Sequence, residues 1–187
     1  MRQLLFIILI LIGSFGCTNP AETTSALSYF DLKGFIDQQI VELNKRKPLV
    51  SKQMTVGADK EVVNSTHIDW AKELELFLKA DLNKQAYQLS YNISQPTAST
   101  YVYTLKQGEN LPVKLLKITL DGVSKKPSFV EATLKEENQL FESEKKLLLT
   151  CAMRPEGIWL IKTYEISGFQ HLTLTDKKTF SVKGEIK

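Results

Sequence analysis

Apolar and polar positions change their repeat once along the chain, near residue 87. Before that point the repeat is helical. Leu32, Phe35, Ile36, Ile40 and Leu43 recur on one face of a 3.6-residue period, while Asp31, Lys33, Asp37, Gln38 and Glu42 fall largely elsewhere. This predicts a helix over 28–45. Ser28 followed by Asp31 reads as a capping box. Lys45, Arg46 and Lys47 suit the negative end of the helix dipole, and Pro48 stops continuation. A second stripe, Trp70, Leu74, Phe77 and Leu78, predicts a helix over 69–82 with Asp69 as N-cap. Between them, 49–65 reads as a β-hairpin. Val50, Met54 and Val56 alternate, Lys52 is the polar exception on that face, and 57–60 turns the chain.

From Tyr87 onward the period is 2. Tyr87, Leu89, Tyr91 and Ile93 alternate with polar residues, and Tyr101, Tyr103 and Leu105 follow. In 111–121 the parity slips at Leu115–Leu116, the signature of a β-bulge. Further strands are expected at Val130–Leu134, Phe141–Met153, Ile158–Gly168, Leu172–Leu174 and Phe180–Ile186. Turn residues at 107–110, 121–122, 136–138 and 155–157 separate these runs. Close spacing requires antiparallel pairing, because parallel strands need long crossovers. The predicted class is therefore α+β: two N-terminal helices with a hairpin between them, then a meander of about six to eight strands. The meander can wrap a helix as a curved half-barrel, close into a barrel, or lie flat under the helices. Alternation leaves these open. Leu147, Leu149, Cys151 and Met153 are expected on the core face of a central strand, since 141–153 contains no Gly or Pro.

The first 17 residues follow a different logic. Arg2 and Gln3 precede an unbroken apolar run, Leu4–Ile12, that is too short to cross a bilayer, which needs about 20 apolar residues. The run fits an export signal over 1–16. Ser14-Phe15-Gly16-Cys17 resembles the lipobox of bacterial lipoproteins, with Ser14 where an aliphatic residue is more usual. That resemblance implies a diacylglycerol on the Cys17 thiol and cleavage before Cys17. Residues 17–27 then form the lipidated cysteine and a small, polar tether, and 28–187 forms a single domain. One acyl chain anchors marginally, at about 0.8 kcal/mol per buried methylene, whereas two or three chains hold firmly. Thr18 is not the Asp associated with inner-membrane retention. The resemblance therefore implies the outer membrane, on its periplasmic or surface face.

Composition narrows the partners. The chain carries 24% charged and 43% hydrophobic residues with a net charge of +3, ordinary for a globular protein. Cleavage would remove Arg2 and leave about +2, too little to argue for nucleic acid. Beyond Arg2 the arginines are Arg46 and Arg154 alone, and Arg is the residue suited to bidentate recognition of phosphate or carboxylate.

Candidate chemistry is sparse. His67 and His171 lack metal-ligand spacing, and no hydrolase, metalloprotease, phosphate-loop or dinucleotide motif occurs. No catalytic residue, cofactor or metal site is assigned. Glu136, Glu137, Glu142 and Glu144 read as a solvated hairpin end rather than a glycosidase pair, which needs a cleft. The tyrosines at 87, 91, 101 and 103 read as sheet packing, and Cys151 as a buried, inert thiol.

In layout the chain is similar to the periplasmic lipoprotein carriers and their outer-membrane receptor. In texture it resembles small envelope lipoproteins with no established activity. The expected role is a lipid-anchored, non-catalytic binding or accessory domain, engaging an envelope protein or a hydrophobic ligand besides the membrane. The alternative is a carrier or receptor of a hydrophobic ligand, which requires an apolar cavity between sheet and helices. A hydrolase of envelope material is the third reading, and requires converging acid and base groups in a cleft.

Overall fold

The computed structural model describes residues 28–187. The export signal, Cys17 and the tether lie outside the described residues. Helix α1 spans Leu32–Arg46, and hairpin β1 (Val50–Val56) and β2 (Asp59–Ser65) follows. Two short helices come next, α2 (Trp70–Glu73) and α3 (Glu75–Lys79), then a 3₁₀ turn at Gln85–Tyr87. Seven strands complete the chain: β3 (Tyr91–Thr97), β4 (Thr100–Leu105), β5 (Val113–Leu120), β6 (Pro127–Glu137), β7 (Phe141–Met153), β8 (Trp159–Leu172) and β9 (Lys178–Ile186).

All nine strands form one antiparallel sheet in the order β2-β1-β9-β8-β7-β6-β5-β4-β3. The fold is thus mainly β. The early hairpin joins the meander by pairing β1 with β9, Val50 opposite Ile186. The sheet is open, since β2 and β3 are its two edges. Both edges are guarded against a further strand. β2 begins Asp59-Lys60-Glu61, and β3 carries Pro96, which has no N–H to offer.

The helical segments cover one face. Leu32, Ile36 and Leu43 of α1 and Trp70, Leu74 and Phe77 of the short helices meet Leu116, Ile118, Leu147 and Leu149 of the sheet in one buried cluster. Phe30, Phe35 and Ile40 pack at its margin. β7 is the fifth strand of nine, and Leu147, Leu149 and Cys151 are buried as expected for a central strand, whereas Met153 at its end is exposed.

Several local expectations are corrected. α1 begins at Leu32, not Ser28. Its N-cap is Asp31, whose carboxylate accepts from the Gly34 N–H at 2.8 Å. The chain before Asp31 bends at Ser28 and Tyr29 instead, where Asn83 grips it: Asn83 Oδ1 accepts from Tyr29 N–H and Nδ2 donates to the Tyr29 and Phe30 carbonyls. The expected helix over 69–82 breaks at Leu74 into α2 and α3. Its later turns tighten to i→i+3 bonds, Phe77 N–H to Leu74 O and Ala80 N–H to Phe77 O.

The expected strand at 87–94 starts only at Tyr91. Tyr87 lies in the 3₁₀ turn, packed against Tyr91, and Leu89 swings outward with a left-handed φ of 65°. The irregularity expected at Leu115–Leu116 falls between Val113 and Leu115. Leu174 sits in the β8–β9 turn, not in a strand.

Candidate functional site

The two ends of the sheet differ. One end carries the β7–β8 and β5–β6 turns, the start of β1 and the C-terminal end of α1. The other carries the β6–β7, β8–β9 and β1–β2 turns. The candidate site lies at the first end, where α1 runs over the β7–β8 hairpin.

The hairpin is built from Arg154-Pro155-Glu156-Gly157-Ile158. Pro155 fixes its own φ, Gly157 takes a φ of 75°, and the N–H of Gly157 donates to Arg154 O at 2.9 Å. Arg154 N–H donates to Ile158 O at 2.8 Å and closes the loop. This places Arg154 and Ile158 side by side facing α1. The β8–β9 pairing ends at Thr163 opposite Glu185, so the first residues of β8 lie beyond that ladder. Two side chains bond to their backbone instead. Gln39 of α1, buried, donates to Trp159 O and accepts from Ile161 N–H at 2.9 Å. Arg154 Nη2 donates to Ile161 O at 3.1 Å and to Ile186 O at 2.8 Å.

Two adjoining depressions flank Ile158. The first, about 370 Å³, is lined by Arg46, Arg154, Glu156 and Lys187 over Pro48, Ile158 and Leu160. Three cationic side chains face one carboxylate there. Arg46 Nε is held by Glu42 at 3.3 Å. The second, about 310 Å³, is lined by Phe35, Gln38, Glu42, Lys126 and Trp159. Trp159 is fixed by an indole N–H donated to Pro127 O at 2.8 Å. The groove therefore has two mixed halves joined at Ile158: cationic side chains over an aliphatic floor in the first, and Phe35 and Trp159 among Gln38, Gln39, Glu42 and Lys126 in the second. Arg46 and Arg154, over a hundred residues apart in sequence, meet in the first half.

The other residues singled out from sequence stand apart from this groove. Glu137 and Glu142 lie opposite each other in the β6–β7 ladder and share Lys135, whose ammonium lowers the pKa of Glu137. His67 lies just before α2, and His171 faces Glu142 at the far end of the sheet. Among the described residues, no group of three His, Cys, Asp or Glu is gathered as a metal could require. Tyr87, Tyr91 and Tyr103 are buried and Tyr101 is half-buried, and the hydroxyls of Tyr91 and Tyr103 are engaged. Tyr29 stands edge-on between Tyr91 and Tyr103, Tyr91 donates to Val113 O, and Tyr103 accepts from Phe30 N–H. Burial pushes the phenols of Tyr91 and Tyr103 upward. It does the same to the thiol of Cys151.

One polar constellation was not read from sequence. Glu73 of α2 accepts from Lys52 Nζ at 2.7 Å and from Tyr164 OH at 2.8 Å. Lys52 is the polar exception noted in the alternation of β1, and that exception was its only signal. Gly184, opposite Lys52, leaves the space that the Tyr164 ring fills. Trp70 lies edge-on to the same ring. The triad pins α2 to the sheet and leaves Tyr164 buried, with its phenol raised by desolvation and then by the Glu73 charge.

Among the described residues, no helix is long and apolar enough to cross a membrane. Comparison with protein-family models, curated proteins and solved structures gives no match to this chain.

Proposed function

We propose that this chain is an envelope lipoprotein, anchored through Cys17, whose β-sheet domain is a non-catalytic binding module. The observation that supports binding is the meeting of both downstream arginines beside an apolar shelf. A partner with a carboxylate next to an apolar residue matches that pairing, because the guanidinium fork recognises carboxylate and the half-buried Phe35, Pro48 and Ile158 offer apolar area. A segment of an envelope protein satisfies both halves of the groove. The outer membrane is the proposed location.

The carrier alternative draws less support. Trp70, Tyr164, Phe77, Leu32, Ile36, Leu43, Leu116 and Leu149 fill the space between sheet and helices where an acyl chain would lie. The hydrolase reading needs an acid and a base facing each other. In the groove Glu42 is bridged to Arg46, and Glu156 shares the first depression with Arg46, Arg154 and Lys187 rather than with a second carboxylate or a histidine.

The test is a photo-crosslinking residue at Glu156 in the full chain in its native cell, with Val62 on the outer edge strand as control. A discrete adduct from position 156, lost on Arg46→Glu, is the expected result. No adduct at 156, together with an acyl lipid that co-purifies in native mass spectrometry, would replace this reading with the carrier. Processing tests the anchor separately. The N-terminal peptide should carry a thioether-linked diacylglycerol at Cys17, and a free thiol there would remove the anchor.

A further inference from the structure

The end of the sheet opposite the groove exposes leucines. Leu174 in the β8–β9 turn is 97% exposed, Leu140 in the β6–β7 turn 72%, and Leu172 at the end of β8 52%. A leucine left this open forgoes its burial energy, and the nearby backbone explains why it cannot retract. Thr173 N–H donates to Leu140 O at 3.1 Å, and Thr173 Oγ1 donates to Gln139 O at 3.0 Å, so the two turns are tied together. Thr175 closes its own turn on Leu172 O. Asn138 closes the other, through Phe141 O and the Leu140 N–H. The result is a braced double hairpin tip that holds three leucines outward, beside a depression of about 250 Å³ lined by Phe141 and Leu172 among polar residues.

We propose that this tip dips into the lipid bilayer, resting the domain on the membrane that holds its anchor. The proposal rests on the anchor reading above. Two features favour a bilayer over a protein partner. First, the described chain begins on the leucine-ward half of the sheet. Tyr29 lies edge-on to Tyr91 and Tyr103; Tyr103 shares the mid-sheet row of Leu116 and Leu147, and Tyr91 bonds to Val113 O in the row of Leu134 and Lys145, a step nearer the leucine end. A chain of ten residues spans at most about 35 Å, so residues 18–27 let a lipid on Cys17 and the tip share one bilayer surface. Second, the tip projects outward. β7 continues from Lys145 to Phe141 beyond that row, about 13 Å of strand. Fluid hydrocarbon covers such a projection more completely than a rigid surface does.

Charge contributes little. Lys135 is bridged to Glu137 and Glu142, Lys177 lies over the Phe169 ring, and Asp176 and Lys178, of opposite sign, line the same depression. Attachment is therefore driven by apolar burial and depends weakly on anionic lipid. In this orientation the arginine groove, at the opposite end, faces away from the membrane.

The test uses the full chain reconstituted in vesicles of phosphatidylethanolamine and phosphatidylglycerol, as Leu174→Trp and, separately, Val123→Trp. Val123 is equally open, at 93%, but lies in the β5–β6 turn at the groove end. The native Trp70 and Trp159 are buried and supply a constant background. The expected result is a blue-shifted emission for Leu174→Trp that brominated lipid quenches, and no quenching of Val123→Trp. Replacing Leu140 and Leu172 with Ser should lower that quenching on the order of tenfold per leucine in partition terms. Vesicle-bound protein with an unquenched Leu174→Trp would overturn the tip while leaving the anchor intact. A blue shift without quenching would mean burial against protein and would also overturn it. Protein that fails to float with vesicles would overturn tip and anchor together.

Discussion

The two ends of the sheet solve the same problem in opposite ways. At the groove end the strands stop unevenly. β8 runs past the last pairs of β9, and Gln39 and Arg154 bond to the backbone left over. Polar side chains there are drawn inward, while the two arginines line the groove and Val123 is left open in the β5–β6 turn. At the leucine end the strands finish in two turns whose backbone is satisfied by the turns themselves, including their own Asn138, Thr173 and Thr175 side chains. Leu140, Leu172 and Leu174 are left outside there. The ends differ in where the backbone finds its partners: from within the turns at one, from α1 and Arg154 at the other.

The largest expected effect is on the leucine half. Gly168 of β8 has no room for a Cβ, which would overlap the Glu144 carbonyl of β7. Gly168→Val should cost about 4 kcal/mol or more, read from urea unfolding, because backbone rather than a flexible side chain must move. A loss under about 1 kcal/mol would mean that the hairpin tip is not held by this close approach.

Next is the clamp at the groove end. Gln39→Leu keeps the volume but leaves Ile161 N–H and Trp159 O without a partner. A destabilisation of about 3 kcal/mol is expected, from two buried groups at roughly 1–3 kcal/mol each. Stability equal to wild type would show that water serves as well as the amide, and the contrast between the ends would lose its physical basis.

Alkaline pH probes the sheet between the ends. Burial raises the phenols of Tyr91, Tyr103 and Tyr164 above the ordinary value of 10.0, and the Cys151 thiol above 9.0. The unfolded chain ionises first. The stabilisation is therefore complete below pH 9 and declines as pH rises through 9 and 10 toward the folded values. Denaturation midpoints should be level from pH 7 to 8.5 and fall steadily above. Cys151→Ala should delay the onset of that fall, and Tyr164→Phe should reduce its slope. Native Cys151 should also resist thiol reagents that label it at once in denaturant.

Two smaller effects sharpen the comparison. Arg46→Glu removes one solvent-screened pair with Glu42, so stability should change by less than about 1 kcal/mol while crosslinking at the groove is lost. Leu174→Ser should leave the unfolding midpoint within about 0.5 kcal/mol of wild type, since the side chain touches little in the folded domain. A marked destabilisation would place Leu174 in the core rather than at an outward tip.

Periodicity alone determined the order of elements. The helical stripe of Leu32–Leu43, the early hairpin and a later antiparallel meander follow from residue spacing, because side-chain direction is a local consequence of backbone geometry, although the short run Leu172–Leu174 proved to be the end of β8 and its turn rather than a strand of its own. Burial of the tyrosines, of Trp70 and of Cys151 was legible for the same reason. Only the tertiary structure decided the rest. It closed the early hairpin onto the last strand, through pairs such as Met54 with Val182 that no local rule connects. It broke the second helix at Leu74 and turned Leu89 outward. It explained Lys52 by bringing Glu73 and Tyr164 to it, and it gathered Arg46 and Arg154 into one groove. Each of these depends on contacts between residues distant in sequence, where the ordering of the chain is repaid only once the whole sheet has formed.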